Sequence, residues 1–318
     1  MIEQVAKVLK QGKRFLLTTA SPDGDSVGSM LGLALALEAQ NKEVQVFSPE
    51  PFPDNLTFLS GMNFVTYDLP KGMFDALVVM DTGSSKLLWN GDRTVWSKLS
   101  SMVIDIDHHP DNDAFGNLNL LMPKAASTGE IIYELLSALK WDITPQMAEC
   151  LLTALMADTG AFRYPNVTTK TLTFAADLVD KGASNAKIAR QLYSTASPTY
   201  IKLLGRMLTN LKFDLDEKMC WSVLTQNDFK GERASDDTAD KMVEQLDLLG
   251  TVKVYALLRE MEDGKIKVSL RSRNDFPVNK VAALFGGGGH KQAAGCQLFT
   301  SVQEAEEKIV NELKKLFQ

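Results

Sequence analysis

The first half of the chain alternates short apolar runs with longer segments of helical periodicity. Four apolar runs end near residues 20, 48, 81 and 107, and each is short enough to form a buried strand. The segment from Gly28 to Leu37 is rich in alanine and leucine, which indicates a helix packed against a sheet. Because strand and helix alternate, we predict an α/β fold with a parallel sheet and crossover helices in the N-terminal domain.

Two helices can be placed by the chemistry of their first residues. Ser127 and Glu130 stand at the spacing of a capping box, so a helix should begin there. Thr144 followed by Pro145 is typical of an N-cap with proline at the first helical position. The second helix should end at Asp158, where a carboxylate opposes the helix dipole unless a cation lies nearby.

The pattern changes after a turn-rich break at residues 194–198. Beyond it come shorter strands, a hairpin turn at Glu262-Asp-Gly264 and a charged amphipathic helix that closes the chain. We therefore divide the chain into an N-terminal domain of residues 1–193, a linker helix of residues 194–211 and a smaller C-terminal α/β domain of residues 212–318.

Composition limits the class of protein and of ligand. The chain has 318 residues, of which 45% are hydrophobic and 23% charged, and its formal net charge is -6. This is the composition of a globular protein, and the acidic balance favours a small anionic substrate over long nucleic acid. We expect a cytoplasmic protein, because the N-terminus lacks a signal-peptide core, no apolar run could cross a membrane and the cysteines form no paired motif.

Carboxylates stand where several predicted elements begin or end. Asp23 and Asp25 lie two residues apart in a glycine-containing turn, Asp81 ends an apolar run and Asp158 ends a helix. The C-terminal edge of an open α/β sheet is where ligands bind, so these groups could share divalent cations. Each aspartate taken alone also has a plain explanation as a turn residue or a helix cap.

The adjacent residues His108 and His109 are the most specific signal in the sequence. They follow the apolar run that ends in Asp107, and the chain has only three histidines. Adjacent side chains diverge, so we expect one imidazole to face a metal ion and the other to face elsewhere, free to give a hydrogen bond or a proton to a phosphate. Asp107 or a backbone carbonyl would orient one ring. A pair of surface histidines without a role is the alternative.

The C-terminal domain carries a candidate phosphate site. Ser269, Arg271 and Arg273 alternate along a predicted strand and so share one face, and arginine matches phosphate oxygens. Four glycines that begin at Gly286 precede His290 and would let backbone N–H groups approach a ligand, with a helix beginning after them. A flexible hairpin is the alternative explanation of the glycines. Together the two motifs favour a nucleotide- or phosphate-binding groove.

The order and spacing of these motifs resemble a known family. Four segments are similar to the motifs of the DHH phosphoesterase superfamily, namely Pro22 to Asp25, Val79 to Asp81, Asp107 to His109, and Asp158. Two further segments resemble its DHH-associated C-terminal domain, namely Ser269 to Arg273 and Gly286 to His290. Over nearly the whole chain the combination resembles the NrnA-type group of bifunctional oligoribonucleases and 3′-phosphoadenosine-5′-phosphate (pAp) phosphatases.

The resemblance implies a Mn²⁺-dependent enzyme with two metals in the N-terminal domain and an active site in the cleft between the domains. One metal would be held by Asp23 and Asp81. The other would be held by Asp25, Asp81, His108 and Asp158. His109 would contact the scissile phosphate, with Asp81 as the second catalytic residue and Asp107 as a support, while a metal-activated water attacks phosphorus in line. The rest of the nucleotide would be bound by Ser269, Arg271, Gly287, Gly288, Gly289 and His290.

One position departs from the family pattern. The first motif of the family has a histidine three residues before its proline, and this chain has Thr19 there. The first metal site therefore lacks its nitrogen ligand. Water could replace that ligand at lower affinity, one tightly held metal could suffice, or hydrolysis could be impaired.

Two classes of function stay open at this point. The leading hypothesis is an enzyme that hydrolyses short oligonucleotides, linear dinucleotides or pAp to nucleoside monophosphates. The alternatives are a catalytically impaired nucleotide- or phosphate-binding relative, for which Thr19 is the argument, and an exopolyphosphatase-like hydrolase. The compact length argues against a DNA exonuclease of the RecJ type. We expect no membrane partner and no long nucleic acid, and a homodimer is left open.

Overall fold

The structure is a computed structural model that describes residues 1–194, 196–239, 242–273 and 276–318. The chain divides into two compact units, Met1–Thr195 and Ala196–Gln318, and each contains its own sheet. Among the residues described, there is no helix whose length and apolar character would let it span a membrane.

The N-terminal unit is built on a parallel sheet. Its strands are β1 (Arg14–Thr18), β2 (Glu43–Phe47), β3 (Val65–Thr66), β4 (Ala76–Met80), β5 (Val103–Asp107) and β6 (Leu118–Leu121). They lie in the order β3-β2-β1-β4-β5-β6, and each neighbouring pair is parallel. Hydrophobic clusters cover both faces, so β4 and β5 are buried along their whole length, and β4 is apolar throughout.

Helices form the rest of this unit. They are α1 (Ile2–Gln11), α2 (Gly24–Ala39), α3 (Arg93–Leu99), α4 (Thr128–Leu139), α5 (Pro145–Asp158), α6 (Thr169–Asp180) and α7 (Asn185–Tyr193). Helix α2 is buried on almost every side and packs against α5. A Cβ atom on Gly28 would lie 2.5 Å from the carbonyl oxygen of Cys150, so a larger residue would force the two helices apart. This close packing brings the start of α2 to the end of α5.

The C-terminal unit contains a smaller mixed sheet. Its strands are β7 (Lys212–Asp214), β8 (Met219–Leu224), β9 (Val254–Glu260), β10 (Ile266–Ser272), β11 (Gly288–His290) and β12 (Ala293–Leu298). The order is β11-β12-β10-β9-β8-β7, in which β8 and β9 are parallel and the other neighbours antiparallel. Its helices are α8 (Pro198–Thr209), α9 (Gln226–Glu232), α10 (Val278–Leu284) and α11 (Val302–Lys315).

Short 3₁₀ helices connect some of these elements. In the N-terminal unit they are Asp54–Leu56, Met62–Phe64, Ser85–Leu87 and Trp89–Gly91, and in the C-terminal unit Asp236–Ala239 and Met242–Leu248. Helix α8 falls in the segment predicted as a linker. Its residues Leu203 and Met207 are fully buried in a cluster with Cys220 and Leu224 of β8, so α8 packs into the core of the C-terminal unit. Of the predicted linker, Thr195 lies outside the described residues.

The predicted α/β class is confirmed, with a parallel sheet in the N-terminal unit and a smaller C-terminal α/β unit. The helices predicted from their caps begin where expected, because Ser127 accepts from the N–H of Glu130 and Thr144 accepts from that of Met147. The helix predicted after the glycine run is wrong. Helix α10 precedes those glycines, the last two of them lie in β11, and β12 follows.

Candidate functional site

Four side chains from four elements converge at one edge of the N-terminal sheet. Asp25 lies in the first turn of α2, Asp81 directly follows β4, His108 directly follows β5 and Asp158 ends α5. We call these four residues the Asp–His cluster. They meet because β4 and β5 are parallel neighbours that end at the same edge, where α2 begins and α5 ends.

The His108 imidazole is the centre of this cluster. Its Nε2 atom lies 3.1 Å from an oxygen of Asp158, 3.5 Å from one of Asp81 and 3.7 Å from one of Asp25. Its Nδ1 atom lies 3.4 Å from the carbonyl oxygen of Ala125. A proton on Nδ1 would bond to that carbonyl and leave Nε2 unprotonated toward the carboxylates, as a metal ligand requires.

Asp25 is fully buried and is held by the N-terminus of α4. Its carboxylate accepts hydrogen bonds from the backbone N–H groups of Thr128 at 2.6 Å and Gly129 at 2.9 Å. The hydroxyl of Ser29 donates a further bond at 3.1 Å. The positive end of the α4 dipole favours a carboxylate at this position. The helix start encoded by Ser127 thus orients one of the candidate ligands.

Asp81 occupies an unusual backbone conformation at the end of β4. Its φ angle is 52°, in the left-handed region that residues other than glycine seldom adopt. The hydroxyl of Thr128 donates to its carboxylate at 3.4 Å. Such strain is concentrated at functional sites, where the surrounding structure holds a side chain in a required direction. Here the direction is toward His108.

The cluster is electrostatically unfavourable without a cation. Burial raises the pKa of Asp25 well above its ordinary value, and the charges of Asp81 and Asp158 raise it further. Burial also raises the pKa of Asp81. Burial opposes a charge on His108, but its hydrogen bonds with Asp158 and Asp81 outweigh that effect and raise the pKa of His108 to about 11. The carboxylates therefore require a positive group, and a divalent ion in place of the His108 proton would satisfy them.

The donor set of the cluster fits a divalent metal. Ligand atoms of Asp25, His108 and Asp158 all lie within 4.8 Å of one another, and Asp81 forms a similar group with Asp107 and the two histidines. Carboxylate oxygens together with one imidazole nitrogen suit Mn²⁺, Fe²⁺ or Zn²⁺ better than an ion that prefers oxygen alone.

A second group of polar side chains orients His109. Its Nδ1 atom lies 2.7 Å from one oxygen of Asp107, and the amide of Asn112 donates to the other oxygen at 2.6 Å. The hydrogen bond with Asp107 raises the pKa of His109 and so favours the imidazolium form. Because Nδ1 is engaged, Nε2 of His109 is the ring atom left to meet a substrate.

The two imidazoles lie closer together than the sequence suggested. The ring centroids are 4.9 Å apart, although the nearest carboxylate is that of Asp158 for His108 and that of Asp107 for His109. The expectation that one ring faces a metal ion and the other a phosphate stays a prediction. One oxygen of Asp81 lies 3.5 Å from His108 Nε2 and 3.7 Å from His109 Nδ1. Strand β5 ends at Asp107, so the alternation that separates neighbouring side chains in a strand no longer applies at these two positions.

Asp23 and Thr19 belong to the first of the two metal sites that the family resemblance implied. Asp23 is the N-cap of α2, and one of its oxygens accepts from the backbone N–H of Ser26 at 2.9 Å. Its charge raises the pKa of Asp81, so it lies near the cluster. Among the residues that the structure describes, neither close group of candidate ligands includes Asp23. Thr19 is buried, and its hydroxyl finds no hydrogen-bond partner in the described part of the chain.

The C-terminal unit has a pocket of about 760 Å³ on one face of its sheet. Ser269 and Arg271 of β10 line this pocket, and Gly287 and Gly288 form part of its floor. We call it the glycine-floored pocket. Its volume is that of a small-molecule site.

The glycine run serves two purposes. A Cβ atom on Gly287 would lie 2.1 Å from the carbonyl oxygen of Gly295, so packing against β12 requires glycine there. Gly288 faces open space, with no atom within 4 Å of an added Cβ. Gly289 and His290 follow in β11 and do not line the glycine-floored pocket, so of the six predicted substrate-binding residues the structure brings four together.

Two arginines at the end of β10 have acidic partners. Arg271 lies 3.3 Å from Glu244, and Arg273 lies 2.9 Å from Asp247. Arg271 lines the glycine-floored pocket, whereas Arg273 lies beyond the strand and outside the lining. Of the two, Arg271 is the one placed to meet a ligand there.

Several contributors to the site were missed from the sequence. Asn112 bonds to Asp107, and the backbone groups of Ala125, Thr128 and Gly129 bond to the cluster. The helix start predicted at Ser127 was a usable signal for two of them, because a helix N-terminus attracts a carboxylate. No sequence motif indicates the contacts of Asn112 or of the Ala125 carbonyl, because the conformation of the loops decides which groups they meet.

Two family models match the chain. The N-terminal domain of the DHH family matches residues 14–155, and the DHHA1 domain matches residues 216–318. The bifunctional oligoribonuclease and PAP phosphatase NrnA of Thermus thermophilus is 33% identical over 98% of this chain and 93% of its own length. The chain belongs to the DHH family.

Other relatives and solved structures are also similar to this chain. The NrnA protein of Bacillus subtilis is 31% identical over 93% of this chain and 91% of its own length. A solved structure of an exopolyphosphatase-related protein from Bacteroides fragilis has a TM-score of 0.88 at 28% identity, and the match covers 100% of this chain and 97% of that one. Exonuclease RecJ bound to manganese shares the fold, with a TM-score of 0.53 at 16% identity over 98% of this chain and 94% of that one.

The two matched regions correspond to the two candidate sites. The DHH match contains Asp25, Asp81 and His108, and Asp158 follows it by three residues. The DHHA1 match contains Ser269 and every other residue that lines the glycine-floored pocket. The two sites therefore belong to different parts of the family architecture.

Proposed function

We propose that this DHH-family protein is a metal-dependent phosphoesterase that hydrolyses short oligonucleotides and pAp to nucleoside monophosphates. The observation that carries the proposal is the Asp–His cluster, in which three carboxylates surround His108 Nε2 within 3.7 Å. The names of the relatives from Thermus thermophilus and Bacillus subtilis support this choice of substrates. The glycine-floored pocket, with Ser269 and Arg271 in its wall, supports an anionic nucleotide as the ligand.

The proposed metal is Mn²⁺, held by Asp25, Asp81, His108 and Asp158. When bound, the ion supplies a Lewis acid to a phosphoryl oxygen and makes a nearby water more acidic. A second, weaker site would use Asp81 and Asp23. Thr19 cannot supply the nitrogen ligand that the family pattern has at its position.

The protein's own residues would orient the substrate and move a proton. His109, kept toward its imidazolium form by Asp107, would donate from Nε2 to a phosphate oxygen or to the leaving group. Ser269 and Arg271 would bind a second phosphate or the ribose. Asp25 needs no movement to bind an ion, because Thr128 and Gly129 already fix its direction.

A catalytically impaired nucleotide-binding protein is the second candidate. The observation that favours it is Thr19, whose buried hydroxyl has no partner in the described structure and lies where the family has a metal ligand. Both candidates bind the same ligands, so only turnover separates them.

The deciding experiment is hydrolysis by the purified protein with Mn²⁺, using a labelled dinucleotide and, separately, pAp. Wild-type turnover that Asp81→Ala lacks supports the enzyme. Equal background in both proteins, together with retained nucleotide binding, favours the binding protein. Polyphosphate included as a third substrate tests the exopolyphosphatase-like alternative.

A companion variant tests the departure at Thr19. Thr19→His should raise the affinity for Mn²⁺ or the rate, because it offers the missing nitrogen ligand. Isothermal titration calorimetry with Mn²⁺ measures the affinity and the stoichiometry of metal binding, and it does not depend on enzymatic activity. An unchanged affinity and rate would mean that another group already fills the position.

A further inference from the structure

One face of the C-terminal sheet carries a line of polar side chains that extends past the predicted phosphate site. Lys267, Ser269 and Arg271 alternate along β10 and line the glycine-floored pocket, while the intervening Val268 and Leu270 are buried in the core. Four residues of antiparallel strand span about 13 Å, so Lys267 and Arg271 are attached far enough apart to contact two different phosphates. The pocket is therefore a track along the strand.

The middle of this track is open because the residues of strand β12 that lie beside it have small side chains or none. The register between the two strands pairs Arg271 with Ala293, Ser269 with Gly295 and Lys267 with Gln297. Gly288 of β11 lies beside Gly295, and an added Cβ there would meet no protein atom within 4 Å. A ribose or a flat base can rest on bare backbone at these positions.

The track ends at an exposed aromatic ring. Phe299 directly follows β12, lines the pocket and is 79% exposed. The Nζ atom of Lys265 lies 5.7 Å from the centroid of its ring. Exposed aromatic rings beside cations are the means by which proteins bind single-stranded nucleic acid, because every base has a face that can stack.

We propose that Phe299 stacks on the base of a second nucleotide, one beyond the nucleotide that Ser269 and Arg271 bind, with Lys267 beside the phosphate that joins them. Dinucleotides and trinucleotides are then bound more tightly than mononucleotides, because only the longer ligands reach Phe299. The inference rests on the proposed function for its choice of ligand, but it concerns binding and does not require hydrolysis.

The test measures binding of AMP, an adenine dinucleotide and an adenine trinucleotide to the full chain by calorimetry, with a chelator present to prevent hydrolysis. Phe299→Ala should weaken binding of the dinucleotide and trinucleotide by about tenfold and that of AMP by less than about twofold. Phe299→Trp should bind the dinucleotide and the trinucleotide with the affinity of the wild type. The matched control is Leu248→Ala, which removes an 83% exposed leucine of the same unit outside the pocket and should change nothing.

A second variant tests whether the ligands bind in this pocket at all. Gly288→Ala adds a methyl group that meets no protein atom, so it should leave the melting temperature unchanged while weakening every ligand, AMP included. An unchanged affinity for all three ligands in this variant would overturn the inference.

Other outcomes separate this inference from the proposed function. Equal losses for all three ligands with Phe299→Ala, or no loss, would overturn the stacking role even if the wild type hydrolyses dinucleotides. A selective loss for the longer ligands in a protein that shows no turnover with Mn²⁺ would support the stacking role and overturn the proposed hydrolysis.

Discussion

The Asp–His cluster and the glycine-floored pocket are built by opposite means. In the cluster, backbone N–H groups hold the buried carboxylate of Asp25, and Asp81 has a strained backbone conformation. In the pocket, glycine residues leave the space open because they have no side chain. The charged side chains that line the pocket are half-exposed. A rigid ligand cage can hold an ion in one geometry, whereas an open track can accept ligands of several lengths. Substitutions in the Asp–His cluster should therefore abolish function, whereas substitutions in the glycine-floored pocket should reduce it by degrees.

The largest expected effect is that of Asp81→Asn. Loss of a carboxylate that two imidazoles share should lower metal affinity and reduce turnover by roughly 10³-fold or more, because the ion contributes several kcal/mol to phosphoester hydrolysis. Turnover and metal titration measure the two effects. Asp142→Asn, at an exposed aspartate of the same unit, is the matched control and should behave like wild type. Metal binding that is unchanged in Asp81→Asn would contradict the proposal that Asp81 is a ligand of the ion.

The second prediction concerns the pocket. Arg271→Ala should raise KM for a dinucleotide by roughly tenfold to a hundredfold, as expected for a hydrogen bond to a charged group. Metal affinity should stay unchanged, because the proposed ligands of the ion lie in the other unit. Arg206→Ala, which removes an exposed arginine of the same unit, should leave KM unaltered. A fall in metal affinity with Arg271→Ala would show that the two regions do not act separately.

A smaller effect is expected at Asn112. Asn112→Ala removes the donor to Asp107 and should reduce turnover about tenfold through a misoriented His109, with little change in metal affinity. Nitrogen NMR of the His109 ring should show its tautomer becoming mixed, which a purely structural role would not produce. Asn63→Ala, at an exposed asparagine, serves as the control. An unchanged ring spectrum would exclude the positioning role.

The smallest effect is a change in the pH dependence of stability. Burial, followed by the charge of Asp107, raises the pKa of Asp105 from 3.8 to about 8. As pH rises between these values, this carboxyl ionises in the unfolded chain but not in the folded one, so the folded state loses stability. Asn does not titrate, and Asp105→Asn should therefore become progressively more stable than wild type up to about pH 8.

Thermal denaturation across this pH range measures the difference in melting temperature between the two proteins. The matched control is Asp142→Asn, at an exposed aspartate of the same unit. A constant difference for Asp105→Asn would mean that Asp105 ionises normally in the folded protein.

Much of the N-terminal site could be predicted because its residues stand at the ends of elements that the sequence marks clearly. The run before Asp81 is apolar throughout because β4 is buried, and Thr144 and Pro145 mark the start of α5. Parallel topology then brings the ends of neighbouring strands to one edge. The directions of the side chains could not be predicted, because His108 and His109 lie just past β5, where no periodicity applies.

The glycine run shows the opposite case. Its composition indicated a close approach of backbone, and the structure places that approach partly between β11 and β12 rather than toward a ligand. The distinction between Gly287, which packs against Gly295, and Gly288, which faces open space, depends on strand pairing between residues that share no local pattern.

The amino-acid sequence by itself determined the α/β class, the helix caps and the residue types that gather at the sheet edge, because these follow from local periodicity and from the chemistry of each side chain. Tertiary structure alone decided that Asn112 supports Asp107, that Thr128 and Gly129 hold Asp25, and that Phe299 ends the pocket. Those contacts join residues far apart in the chain, and their geometry depends on packing and register that no single segment encodes.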